Sequence, residues 1–476
     1  MKGFKSVFVQ EWVILKHNST WWAILGLLLV LTVLAALNGS ARTNQMADMG
    51  AGLNQGELQT QTALQSAVAR WEANPEGDPP SVASPGALGL SVLSHYTVLP
   101  PTQLAALSIG QTDVQPTYYK VTAHPALTFL NEAEIQNPLN VLAGSFDVAF
   151  VIVFLLPIFI VALTFDLMSK EKERGVLSLV LAHGVSKTAF IIAKGAARAL
   201  LIFMLLLLVG VAAVLLTEPD ISSGAMWARF GLWFLIVSLY AFFWFALALF
   251  VNSLNKPSVT NGVILANLWL VFVVVIPALV NVAATTLFPA PSRVELTTEM
   301  REATEIADQE SAESREAFFF DHPKMVGGDA NADQFFLQVL ATDSAIERAV
   351  VPLMEEFDAQ AQRRQDVVDL LQYVSPAIMA QNALNAVSGT GTERFTDFVG
   401  QVLAFHENWR GFFTSRIIKG SRMSAAEFDE IPTYAYQAVT MGSILRSTLN
   451  PAAGLAFFVL ILGVWSARRY ARYPAV

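Results

Sequence analysis

Six dense apolar blocks punctuate the chain: 21–36, 148–163, 189–216, 230–251, 262–287 and 452–466. A helix rises about 1.5 Å per residue, so roughly 20 apolar residues cross a hydrocarbon core. The blocks therefore predict spans at 21–37, 148–166, 189–217, 230–251, 262–287 and 452–467. Pro157 and Pro277 fall inside spans, where neighbouring helices can re-satisfy the carbonyls a proline leaves free. Over residues 1–20, Phe4, Val7, Phe8, Trp12 and Leu15 recur at helical spacing, while Lys5, Gln10, Glu11 and Lys16 fall largely elsewhere. That pattern predicts a helix lying in the membrane interface, with Phe4, Phe8 and Trp12 on its apolar side. Lys2, Lys5 and the following apolar stretch also resemble a cleavable leader, but the patterned residues ahead of the stretch favour a retained helix.

Two long polar segments, 38–147 and 288–450, separate the blocks. The first has helical potential over Gly52–Glu72, then passes through Pro79-Pro80, Pro85-Gly86 and Pro100-Pro101, which predicts loops or short strands. The second predicts helices over Val294–Phe320, Ala332–Tyr373 (bent at Pro352) and Phe395–Met423. Phe335, Phe336, Val339, Leu340, Ile346 and Val350 fit one apolar face, so the two segments are expected to share a mainly helical domain. The fold class expected is an all-α polytopic membrane protein with an interfacial N-terminal helix and this inserted domain.

Composition agrees. The 476 residues are 54% hydrophobic and only 14% charged, with a mean hydropathy of +0.47. The absence of cysteine excludes disulfides, thiolate metal sites and cysteine nucleophiles. The net charge of −9 is distributed unevenly. The two termini and the loops after spans two and four, with the flanking Asp166, Lys194 and Arg198, hold about 13 Lys/Arg against about 4 Asp/Glu, which makes them cytoplasmic by the positive-inside rule. The two long segments hold about 16 Lys/Arg against about 33 Asp/Glu and are expected outside an inner membrane. Lys194 and Arg198, near the start of span three, are expected to snorkel to headgroups. Asn267 and Asn281 in span five are expected to bond between helices.

The loop at 167–188 holds a charged turn, Lys170-Glu171-Lys172-Glu173-Arg174-Gly175, then the short apolar run Val176–Ala182, which Gly184 could terminate. The run is too short to span and too apolar for water, so its exposed side calls for a partner. The Glu-x-Glu-x-Gly run, apolar helix and small-residue turn resemble the coupling segment of ABC-2 type (type V exporter-like) permeases; Lys194 and the interfacial helix also resemble features of that family. A narrower resemblance, to a subgroup with large outer segments containing a domain of unknown function, rests on three stretches. They are Asn137-Pro138 through Gly144, Phe146 and Asp147; Asp321-His322-Pro323; and Ser375-Pro376-Ala377 with Gly389 to Glu393. The family often has Gly-Thr-Leu where this chain has Gly175-Val176-Leu177.

The resemblance implies ATPase-coupling roles for Glu171, Glu173, Arg174, Gly175, Leu177, Leu179 and Gly184. It also implies a dimeric ABC ATPase as partner, which binds the ATP, and a second permease, the same or related. Lipids and an extracytoplasmic protein complete the expected contacts. The residues themselves offer no Gly-x-x-x-x-Gly-Lys-Ser/Thr loop, no His-Glu-x-x-His and no Gly-x-Ser-x-Gly elbow, so no cofactor, metal or catalytic activity is expected. The acidic long segments and the lack of a basic cluster argue against nucleic acid. The function expected is a permease subunit, exporting substrate on ATP hydrolysed by a separate subunit. The alternative is mechanotransmission, in which hydrolysis moves the outer domain and nothing crosses the membrane.

Overall fold

The computed structural model describes residues 2–76, 78–110, 112, 115–130, 146–183, 185–217, 221–287, 298, 301–302, 305–306 and 331–473. It is mostly helical, with six helices long and apolar enough to cross a membrane. Helix α1 (Lys2–His17) is followed after one residue by α2 (Ser19–Ala73), whose first turn is capped by the Asn18 side chain accepting from the Thr20 N–H at 3.0 Å. Three further spans are α4 (148–164), α7 (Lys187–Thr217) and α8 (Gly224–Asn252). The last two are α9 (Ser258–Leu287) and α13 (Met441–Ala471). Two short helices, α5 (Ser169–Glu173) and α6 (Val176–Ala182), follow α4. The most buried spans are α4 and α8, around Leu156, Ile160, Trp233, Tyr240 and Trp244.

The first span continues well past its expected end. Helix α2 has 55 residues, about 80 Å at the α-helical rise. No proline interrupts it before Pro75, and Gly39 and Gly50 permit close packing rather than a break. At Gly39 a Cβ would sit 1.9 Å from the carbonyl oxygen of Ala106, so only glycine admits the short helical turn 105–107 against α2.

The two polar segments fold together. The distal end of α2, the antiparallel hairpin β1 (His95–Val98) and β2 (Tyr118–Val121), and helix α3 (Ala126–Leu130) enclose one core with α10 (Asn331–Leu371) and α12 (Thr392–Lys419). Val68, Val121, Phe398, Trp409, Phe413 and Phe428 lie at its centre. Polar ties complete the seam: the Gln61 and Gln65 side-chain amides donate to the carbonyls of Phe428 and Ala425, at 3.1 and 2.9 Å. His95 is held between its Glu57 partner and the Tyr434 N–H, which donates to Nε2 at 3.0 Å. Periodicity anticipated α10, with Pro352 inside it, and α12; the expected Val294–Phe320 helix lies largely outside the described residues.

Helix α11 (Pro376–Ser388) was not anticipated. It belongs in sequence to the inserted domain, yet Ala377, Met379, Ala380, Ala383, Leu384 and Val387 pack into the span core, between α8 and α13. Its small residues permit that approach. Two spans have wide turns (i→i−5) next to their prolines, Val151–Leu155 in α4 and Leu270–Val275 in α9, and neighbouring helices supply the missing donors. Tyr240 Oη donates to the Val153 carbonyl at 2.8 Å, four residues before Pro157. Trp269 Nε1 donates to Phe154 at 3.0 Å. Ser375, the N-cap of α11, donates to Phe272 at 2.8 Å, five residues before Pro277. The inserted domain is thereby bonded directly to the irregular turn of α9.

Candidate functional site

Both termini gather at one end of the bundle, and the expected coupling segment lies between them. Helices α5 and α6 are joined by Arg174 and by Gly175, whose φ of +72° is the left-handed geometry that favours glycine. This bend divides α6 into two faces. Leu177 is 1% exposed and packs with Val7, Leu167, Met168, Phe190 and Tyr470. Val176 and Leu179, at 41% and 62% exposure, face outward, with exposed His183 just beyond the helix.

The expected coupling residues therefore separate into different roles. Leu177, one of the residues given a coupling role, is an inward anchor, because the bend at Gly175 turns it into the α1–α7 seam. Glu173 accepts from the Ser258 N–H at 2.6 Å and from its hydroxyl at 3.1 Å, capping α9 where Pro257 offers no side-chain cap. Arg174 is exposed. Gly184 lies outside the described residues.

Glu171 leads into a buried charge network. Its carboxylate pairs with Lys194 on α7, and Lys194 also lies 3.8 Å from Glu11 on α1. Arg198, one turn further along α7, bonds Glu11 at 2.8 Å and Asp166 at 3.0 Å, and also donates to the Leu163 carbonyl. Lys170 lies 3.5 Å from Asp166. Lys194 is 3% exposed, Arg198 6% and Glu11 5%. The cations expected to snorkel thus turn inward, because three carboxylates from other segments meet them there. Pairing is what makes such burial tolerable; removing one partner leaves a desolvated charge.

Sequence reasoning missed Glu11. It was assigned to the polar side of α1, yet it lies at i+4 from Val7 and i−4 from Leu15, the two most buried apolar residues of that helix. The spacing could have identified it. Phe4, Phe8 and Trp12 form a half-buried ladder beside this stripe, with successive ring centroids 6.2 and 6.5 Å apart. The network thus joins α1, the end of α4, the α5–α6 turn and α7 into one body, and Arg198 also lies over the Trp21 ring at the start of α2.

Among the described residues, Asn267 and Asn281 make no side-chain bond to another helix. Both are exposed on α9; Asn267 donates to Val263 of its own helix at 2.9 Å.

In comparison with known proteins, residues 293–437 match the family model described as "Domain of unknown function (DUF3526)". No curated protein matches the chain. The matched stretch lies within the second polar segment, from 288 to 450, and includes α10, α11 and α12. The chain is a multi-pass, mainly helical protein in which that family's region forms much of the inserted domain.

Proposed function

We propose that the chain is the permease subunit of an ABC-2 type transporter, driven by a separate ATPase and working as an exporter. The termini end is cytoplasmic in this reading, and the inserted domain lies outside an inner membrane. The observation that carries it is the division of α6: Leu177 anchors the helix while Val176 and Leu179 present an apolar outward surface, on an element that the charge network ties to α1 and α7. A nucleotide-driven push on that surface would move the network as a unit rather than bend a loop. Exposed Asn267 and Asn281 on α9, the least buried span, support a second permease, because amides facing hydrocarbon are costly unless another helix meets them.

The mechanotransmission reading has its own support in α2. One unbroken helix runs from beside the network to the core of the inserted domain, so tilting its base would move that domain directly. Replacing Glu171 and Glu173 by alanine tests the proposal. Expected is ATP hydrolysis by the partner uncoupled from substrate movement, with the spans still folded. Unchanged recruitment of the ATPase and unchanged transport would refute it.

A further inference from the structure

At the other end of the bundle, where the inserted domain meets α13, lies a cavity of about 1260 Å³. Sites for small molecules are usually about 300–1,000 Å³, so this one admits a larger guest. Its wall on α10 is unusual for a helix within a domain. Before Pro352 that helix buries Leu337, Leu340, Ala341 and Val350. After Pro352 it lines the cavity with Asp358, Gln362, Gln365 and Asp369 at helical spacing, and Gln372 follows just past its end. Those polar side chains suit a hydrated space rather than a packed core.

The opposite wall carries Glu393, Arg394 and Asp397 of α12, with Asn382 and Asn385 of α11 alongside. Arg394 is only 8% exposed. It donates to the Pro100 carbonyl at 2.6 Å, to Gly389 at 3.2 Å and to Tyr436 Oη at 3.0 Å, and its guanidinium lies over the Tyr436 ring. These acceptors are neutral and use three of its five N–H groups. No carboxylate pairs with it among the described residues, and burial pushes its pKa down. A buried cation without a counter-charge calls for an anionic group from elsewhere. Arg229 of α8 also lines the cavity, but Asp358, Asp369, Glu393 and Asp397, for which no salt bridge is seen among the described residues, disfavour a purely anionic guest. Partial burial raises the pKa of Asp369, and the charges of Asp366 and Glu393 add to that, against a bond from Gln365.

We propose that this cavity binds a short zwitterionic peptide, its carboxylate at Arg394, its ammonium at Asp369 and Glu393, and its backbone amides against the Gln and Asn side chains. The inference is independent of the coupling proposal, since binding requires neither nucleotide nor ATPase.

The test uses the purified full chain in detergent and tetra-alanine in four forms: free termini, acetylated, amidated, and blocked at both ends. Calorimetry should show binding of the free peptide, with about tenfold loss on amidation and a smaller loss on acetylation. Arg394→Gln should abolish the amidation penalty. Should Arg394→Gln fail to fold, Asp369→Asn with Glu393→Gln decides the matter: the acetylation penalty should vanish and the amidation penalty persist. Glu355→Gln with Glu356→Gln, on the same helix but outside the lining, should change neither. The proposal is overturned if the free peptide does not bind, if the four forms bind alike, if the Asp369 and Glu393 variant keeps the acetylation penalty, or if the control pair removes it equally.

Discussion

The two ends of this bundle treat charge in opposite ways. At the termini end, Glu11, Asp166, Glu171, Lys170, Lys194 and Arg198 share partners across four segments, and the two α7 cations are almost wholly shielded. At the domain end, Arg394 and four carboxylates line an open cavity without ion-pair partners among the described residues. A closed network holds its elements in one arrangement, whereas unpaired groups around a hydrated space remain available to a guest. In the proposed reading, one end moves as a body and the other receives a guest.

The largest expected effect breaks the closed end. Arg198→Gln leaves Glu11 and Asp166 without their main partner and should cost about 3–5 kcal/mol, read as a fall in thermal unfolding temperature in detergent. Exchanging the charges, Glu11→Arg with Arg198→Glu, should recover part of that loss; no recovery would mean that the pair is not coupled. Next comes the seam between the two ends. Gly39→Ala places a methyl against the Ala106 carbonyl and should cost about 1–3 kcal/mol, with the inserted domain loosening before the spans in hydrogen exchange. Ser375→Ala removes the donor to Phe272 and should cost about 1–3 kcal/mol by leaving a buried carbonyl unsatisfied. At the receptive end, Asp358→Asn should change stability by no more than about 0.5 kcal/mol, since no partner is lost.

The smallest effect is one of pH, in the inserted domain. The Asp343 hydrogen bond at 2.9 Å is the main cause that raises the pKa of His124 above its ordinary value of about 6.5. Its contribution to stability is complete below that value and is lost as pH rises through the raised one. His406, which bonds the His124 carbonyl at 2.7 Å, is lowered by burial; its contribution is complete above about 6.5 and lost as pH falls through the lowered pKa. His124→Gln should therefore narrow the gap to wild type at alkaline pH, measured by thermal melts from about pH 5 to 9.

Much of the architecture was legible because hydrocarbon imposes a coarse rule. Six apolar blocks became six long helices, and the period of Phe335 to Val350 marked the face of α10 that meets the domain core. What remained hidden depended on partners distant in sequence. Helix α11 reads as a polar-domain segment with small residues, and only its neighbours α8 and α13 explain Ala377, Ala380 and Ala383. The length of α2 was hidden because its apolar block stops at 37 while the helix runs on through polar sequence, packed at Gly39 against Ala106. Within the candidate site, Gly175 and the apolar run were visible, but the inward turn of Leu177 depends on a left-handed bend. Lys194 and Arg198 looked like interface cations until Glu11, Asp166 and Glu171 converged on them.

The outward face of α6 can be tested with a single probe, since the chain has no cysteine of its own. Leu179→Cys and Leu177→Cys, each co-expressed with the proposed ATPase partner, place one thiol on the exposed face and one on the buried face, at 62% and 1% exposure in the native residues. Expected is crosslinking to the ATPase from position 179, sensitive to nucleotide, and none from 177. No crosslink from 179, or equal crosslinking from both, would contradict a coupling role for this helix.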